Sequence, residues 1–130
     1  NIFISVNTQN VLLYADPLLE KVFFNLLDNS VRHGKHTTKI FISGFENDTG
    51  FTVLWEDDGI GIEDTEKEKI FERGYGQNTG LGMFLVREIL SLTDITITET
   101  GLFQKGARFE IRFPKGSYQI INSESNRINS

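Results

Sequence analysis

The sequence predicts an α/β fold, a two-layer sandwich in which a mixed sheet packs on about three helices. Three observations carry this. Residues 95–99 and 107–113 alternate apolar with polar side chains, the pattern of strands with one buried face. Leu19, Val22, Phe23, Leu26 and Leu27 recur at three- and four-residue spacing, which draws one apolar face along a long helix. The coarse order is β-β-α-β-β-α-(loop)-α-β-β, and helices gathering on one face of such a sheet give two layers.

Each element follows from its own residues. Residues 2–6 and 11–15 are β-branched and aromatic runs on either side of Asn7-Thr8-Gln9-Asn10, and they read as strands. Asp16-Pro17 supplies a helix start, because Asp can cap free backbone N–H groups and Pro suits the first helical position. Gly34 is the expected stop. Residues 39–45 and 51–56 form two strands around the hairpin loop Asn47-Asp48-Thr49-Gly50. The charged stretch Glu63 to Glu72 is expected to be a short surface helix, and residues 83–90 a packed one. Residues 1–115 are read as one domain. After Pro114 the chain turns polar, and residues 116–130 are expected to be a disordered tail.

Composition narrows the functional classes. At 130 residues, 38% hydrophobic and 24% charged, the chain suits one soluble domain with a real core. A formal charge of −5 gives no global pull toward nucleic acid, so none is expected as a partner. With no Cys there is no disulfide, thiol nucleophile or thiolate-bound zinc. No apolar run approaches the roughly 20 residues of a membrane helix, and the first residues lack a signal peptide's pattern. Without an initiator Met, the chain is read as a fragment of a longer protein.

Several segments hold residues suited to chemistry. Asn25 and Asn29 stand four apart on one helical face, with Asp28 and Arg32 beside them. An amide oxygen is a suitable ligand for Mg²⁺, and Arg32 can meet a phosphate, although a solvated polar face explains the pattern equally well. Asp57-Asp58-Gly59-Ile60-Gly61-Ile62 follows a strand directly. Two glycines two apart permit close backbone approach to a ligand, and Asp57 can accept a hydrogen bond from an amino group such as that of adenine. A tight acidic turn is the plainer reading. Residues 74–82 hold four glycines, and the last two open a helix whose free N–H groups suit an anion. Arg73 and Gln77 can add donors, while an ordinary linker is the alternative. Neither familiar phosphate motif fits: Gly82 is followed by Met83-Phe84 where a P-loop needs Lys-Ser or Lys-Thr, and a charged stretch separates this loop from its strand.

Taken in order, the segments resemble a known family. Asn25–Gly34, Asp57–Ile62, Ile70–Gly74 and Thr79–Val86 are similar to the N, G1, F and G2 boxes of histidine kinase catalytic domains. These share an ATPase superfamily with gyrase, the ninety-kilodalton heat-shock chaperone and mismatch-repair ATPases. Gly106-Ala107-Arg108-Phe109 through Pro114 resembles the family's closing strand, and the likeness spans residues 1–115.

The resemblance implies a Bergerat-type ATP-binding fold and a role for each matching position. Asn29 would hold Mg²⁺ against the ATP phosphates, with Arg32 at the phosphates and His33 near the nucleotide. Asp57 would accept from the adenine amino group, Gly59, Gly61 and Ile62 would line the base, and Phe71 would anchor one end of an ATP lid near Arg73. Thr79, Gly80, Leu81 and Gly82 would sit beside the phosphates. Hydrolysing relatives carry Glu where this chain has Asn25, and a neutral amide is no useful proton acceptor near neutral pH. Asn25, Asn29 and Arg32 are thus the expected catalytic set, for a site that holds ATP for transfer rather than hydrolysis. Departures from the pattern are a short Phe71-to-Gly80 stretch, Ala107 in place of Thr and Asp58 in place of Asn.

The function implied is γ-phosphoryl transfer from Mg-ATP to a histidine on a dimerisation domain absent from this sequence. His33 and His36 both lie at the N box, so neither is assigned as phosphoacceptor, and the isolated domain is expected not to label itself. The implied partners are that upstream domain and a response regulator receiver domain. The whole protein is expected to be a homodimer and this fragment a monomer, in the cytoplasm or on its membrane face. The competing readings are an anti-sigma-type serine kinase and a degenerate module that acts through nucleotide or protein binding alone.

Overall fold

The computed structural model describes residues 1–75 and 82–121. In chain order its strands and helices are β1 (Phe3–Asn7), β2 (Val11–Leu13), α1 (Leu19–His33), β3 (Lys39–Asn47), β4 (Gly50–Asp57), α2 (Gly82–Ser91), β5 (Thr96–Glu99), β6 (Arg108–Pro114) and β7 (Tyr118–Ile120). The main sheet runs β1-β3-β4-β6-β5. Only the β1–β3 pair is parallel, so the sheet is mixed as expected. No described helix is long and apolar enough to cross a membrane.

Period-two alternation builds the core. On β4, Phe51, Val53 and Trp55 point to one face, and their partners across the register on β6 are Phe113, Ile111 and Phe109. Helix α1 lays Val22, Leu26 and Ser30 on this face at four-residue steps, and all three are buried. Phe23, beside them, stacks on Trp55 at 6.4 Å between ring centroids. Helix α2 adds Met83, Val86, Ile89 and Leu90. The helical layer thus covers the sheet where β4 ends, and Asp57 emerges at that seam.

Three local expectations are corrected. Helix α1 begins at Leu19 rather than Pro17, because Asp16 uses its Oδ1 to accept from Leu18 N–H (2.9 Å) and its carbonyl to accept from Leu19 N–H (2.9 Å). The side chain closes a turn ahead of the helix and does not cap it. The stretch Glu63 to Glu72 forms two 3-10 turns, Asp64–Glu66 and Lys69–Phe71, rather than a helix. Of its residues only Ile70 and Phe71 are buried apolar anchors, and a short helix lacking a continuous apolar stripe is marginal.

The third correction lies past Pro114. Residues 118–120, expected in a polar tail, form β7 and pair antiparallel with β2. Tyr118 packs on Phe51 (5.4 Å between centroids) and donates its hydroxyl to Glu46 Oε2 at 2.6 Å. That bond holds the phenol above its ordinary 10. Residues 122–130 of the expected tail lie outside the described residues.

Candidate functional site

A carboxylate clamp closes β4. Asp57 is 8% exposed, and both its oxygens are held by protein donors. Oδ1 accepts from the N–H groups of Gly59 and Ala107, each at 3.0 Å, while Oδ2 accepts from Ser30 Oγ at 2.8 Å. The Ser30 hydroxyl in turn accepts from Trp55 Nε1 at 3.0 Å, which fixes its proton toward the carboxylate. A carboxylate offers about four acceptor positions, of which donors among the described residues fill three.

Ser30, Trp55 and Ala107 were absent from the sequence-based site. Ser30 had a readable signal: it continues the Val22–Leu26 core stripe by one four-residue step, and a hydroxyl on a buried stripe needs a partner. Ala107 had none, since it acts through its backbone. Its methyl side chain is buried, and what it gives Asp57 is the backbone N–H alone.

The two glycines after Asp57 have separate structural causes. A Cβ on Gly59 would lie 2.6 Å from Gly34 Cα and 2.5 Å from Thr37 Oγ1, so the turn after α1 presses against this backbone. Gly61 has φ of 78°, a left-handed conformation, and a Cβ there would meet the Leu102 carbonyl at 2.9 Å. Ile62 is half-buried against the core. Asp58 turns away from Asp57 and ties down the start of β3, accepting from the N–H of Thr38 (2.7 Å) and Lys39 (2.9 Å) and from the Thr38 hydroxyl (2.5 Å). The Thr38 hydroxyl bond leads in lowering its pKa from 3.8 to about 2.

On α1, Asn25 and Asn29 are half-buried, and Asn29 adjoins the Asp57 anchor Ser30 in sequence. Asn25 Nδ2 donates to the Gly82 carbonyl at 3.3 Å, bridging α1 to the first residue of α2. Arg32 gives its Nε to Asp28 at 2.8 Å along the helix, and its remaining N–H groups stay on an exposed side chain. His33 is exposed at the helix end. Phe71 is a core residue, 3% exposed, edge-on to Phe109 and covered by the Arg87 guanidinium at 4.0 Å. It can anchor a segment but is too enclosed to line a ligand. Arg73 lies over the Phe84 ring at 4.9 Å. Among the described residues a Cβ at Gly82 would meet nothing within 4 Å. Gln77, Thr79, Gly80 and Leu81 lie outside the described residues.

A mixed sheet backed by helices, with a buried acceptor at the end of a central strand beside a polar helix face, is the architecture of a nucleotide-binding α/β sandwich. Residues 15–117 match the family described as histidine kinase-, DNA gyrase B- and HSP90-like ATPases. The chain belongs to that family. It is 29% identical over 116 residues to the sensor protein SrrB of Staphylococcus aureus strain MRSA252, a match covering 82% of this chain and 20% of SrrB. It thus spans about a fifth of the length of that relative. Among solved structures, the ATP binding domain of PrrB from Mycobacterium tuberculosis superposes with a TM-score of 0.73 at 25% identity, covering 87% of this chain and 79% of that one. The catalytic domain of the histidine kinase ThkA gives 0.73 at 27% identity, with coverage of 88% and 80%.

Proposed function

We propose that this chain binds Mg-ATP and presents the γ-phosphoryl group to a histidine on a dimerisation domain of a longer sensor kinase. The observation that carries it is the Asp57 clamp: three protein donors occupy the carboxylate and leave one acceptor position, which suits the single amino group of adenine. Gly59, Gly61 and Ile62 border that position and take the base. Asn29 and Arg32 on α1 take the phosphate end, with Thr79, Gly80, Leu81 and Gly82 contributing backbone N–H groups. The likeness to PrrB and ThkA supports the assignment.

The donor set fits Mg²⁺. Among the described residues no three His, Cys, Asp or Glu gather into a metal cluster. Mg²⁺ typically keeps waters and phosphate oxygens and takes only one or two protein ligands, so a single amide oxygen from Asn29 suffices. When bound, it neutralises charge on the phosphates. Asn25 abstracts no proton from water; its amide holds α2 against α1 and leaves the γ-phosphoryl group intact for another acceptor. That amide disfavours the anti-sigma serine kinase reading, where an acid is usual. A receiver domain is the onward partner, and the site faces the cytoplasm.

Titration calorimetry with a non-hydrolysable ATP analogue and Mg²⁺ tests the assignment. Asp57→Asn turns one acceptor oxygen into a donor, and binding should weaken at least about tenfold, the worth of one charged hydrogen bond. Equal affinity in the variant would remove adenine from this clamp.

A further inference from the structure

Asp57 is not the only buried carboxylate holding this region. Glu99 ends β5, and its side chain is fully buried. Its Oε2 accepts from the N–H groups of Gly101 (3.1 Å) and Arg108 (2.9 Å). Its Oε1 is paired with Lys67 Nζ, which also donates to the Gly101 carbonyl at 2.9 Å. Lys67 lies between the two 3-10 turns, with only 18% of its side chain exposed. Arg108 reaches back to Thr100 through its Oγ1 (2.9 Å) and carbonyl (3.0 Å). The base of the loop from Thr100 to Gly106 is therefore pinned on both sides.

That loop is the rear wall of the candidate site. Gln104 N–H bonds the Ile60 carbonyl, the Leu102 carbonyl closes on Gly61, and Ala107 N–H is one of the donors on Asp57. Consecutive amides, those of Ala107 and Arg108, are thus held by two different buried carboxylates. Any slip of the Glu99 anchor moves the Asp57 clamp by the next peptide. A buried ion pair is costly to desolvate, and apolar residues of similar volume often hold a fold as well. Its placement one residue from the clamp gives it a use beyond stability.

We propose that Lys67 and Glu99 are positioning residues for the base-binding end of the site, fixing the Thr100–Gly106 loop so that Ala107 N–H orients the Asp57 carboxylate. The ligand side of this inference rests on the nucleotide reading above. Lys67→Met removes the cation and leaves its volume. In the ligand-free variant, hydrogen exchange at the Ala107, Arg108 and Gly59 amides should quicken at least tenfold, while the Leu26 and Val86 amides in the core keep their rates. Affinity should fall about tenfold, and equally for ADP and a non-hydrolysable ATP analogue, because the loss lies at the base. Lys67→Arg should restore both readouts.

Since an unpaired Glu99 can unfold the chain, Lys67→Met/Glu99→Gln supplies a neutral pair of similar shape, for which the same loosening is expected. Unchanged exchange and affinity in that folded double variant would overturn the proposal, as would a loss confined to the triphosphate. A wild-type chain that binds no analogue would sink the nucleotide reading alone, because the exchange comparison needs no ligand.

Discussion

At the scale of single residues, neighbouring acids do opposite work. Asp57 faces inward and gathers Ser30, Gly59 and Ala107, whereas Asp58 spends its oxygens on Thr38 and Lys39 and acts as a staple for the start of β3. The Asp58 carboxylate has its pKa lowered in the fold from 3.8 to about 2, so its contribution is fully present above 3.8 and is lost as pH falls through the lower value. Comparing acid unfolding of the wild type with Asp58→Asn should therefore show a stability gap that is constant above pH 3.8 and closes toward about pH 2. A gap that persists undiminished at the acid end would mean that the charge of Asp58 is not what holds Thr38. The Ser30 hydroxyl adds a second lesson. Buried and bonded to both Trp55 and Asp57, it ties the helical layer to the sheet at the mouth of the site.

At the scale of elements, the site is a junction of turns rather than a cavity within one element. The turn after α1 packs on the turn after β4 through Gly34 and Gly59, and the loop between β5 and β6 packs on Gly61. Gly61→Ala forces a Cβ into a left-handed backbone against the Leu102 carbonyl, at a cost of about 1–2 kcal/mol from the backbone conformation alone. Chemical denaturation should register that loss, and the analogue should bind more weakly at concentrations of denaturant where the variant is still folded. Wild-type stability would place Gly61 outside the strained turn. The stretch from Glu63 to Glu72 belongs to this scale as well. Two short turns rather than one helix let Lys67 reach Glu99 while Ile70 and Phe71 enter the core.

For the whole molecule, the sandwich is closed by a ribbon drawn from both ends of the described chain. Strand β2 pairs with β7 beside Phe51, and Val11, Leu13, Tyr118 and Ile120 are packed against the core without being fully buried. A chain ending at Gly116 would lose Tyr118 and Ile120. Burial of two partly covered side chains is worth about 2–4 kcal/mol, and melting should fall by roughly 10 °C in a domain of this size. An unchanged melting temperature would show that the ribbon is ornamental. Analogue binding, measured cold, should survive, because none of the Asp57 contacts involves this ribbon.

Local pattern was enough for what depends on local chemistry. Alternation along β5 and β6 and the apolar stripe of α1 were legible because burial selects side chains at fixed periods. Asp57 and its glycines were legible as a motif, and Asn25, Asn29 and Arg32 as a polar helix face. Tertiary packing decided the rest, because its partners are far apart in the chain or act through the backbone. Ser30 meets Asp57 across 27 positions, and Glu99 receives Lys67 across 32. Ala107 contributes an amide that every residue but proline possesses, so no letter in the sequence marks it. Strand β7 looked like tail because three residues, only two of them half-buried, carry too little pattern to announce a partner some hundred positions away. Sequence sets which side chains are available; closure of the sheet, the two helices and their connecting turns sets which of them share one carboxylate.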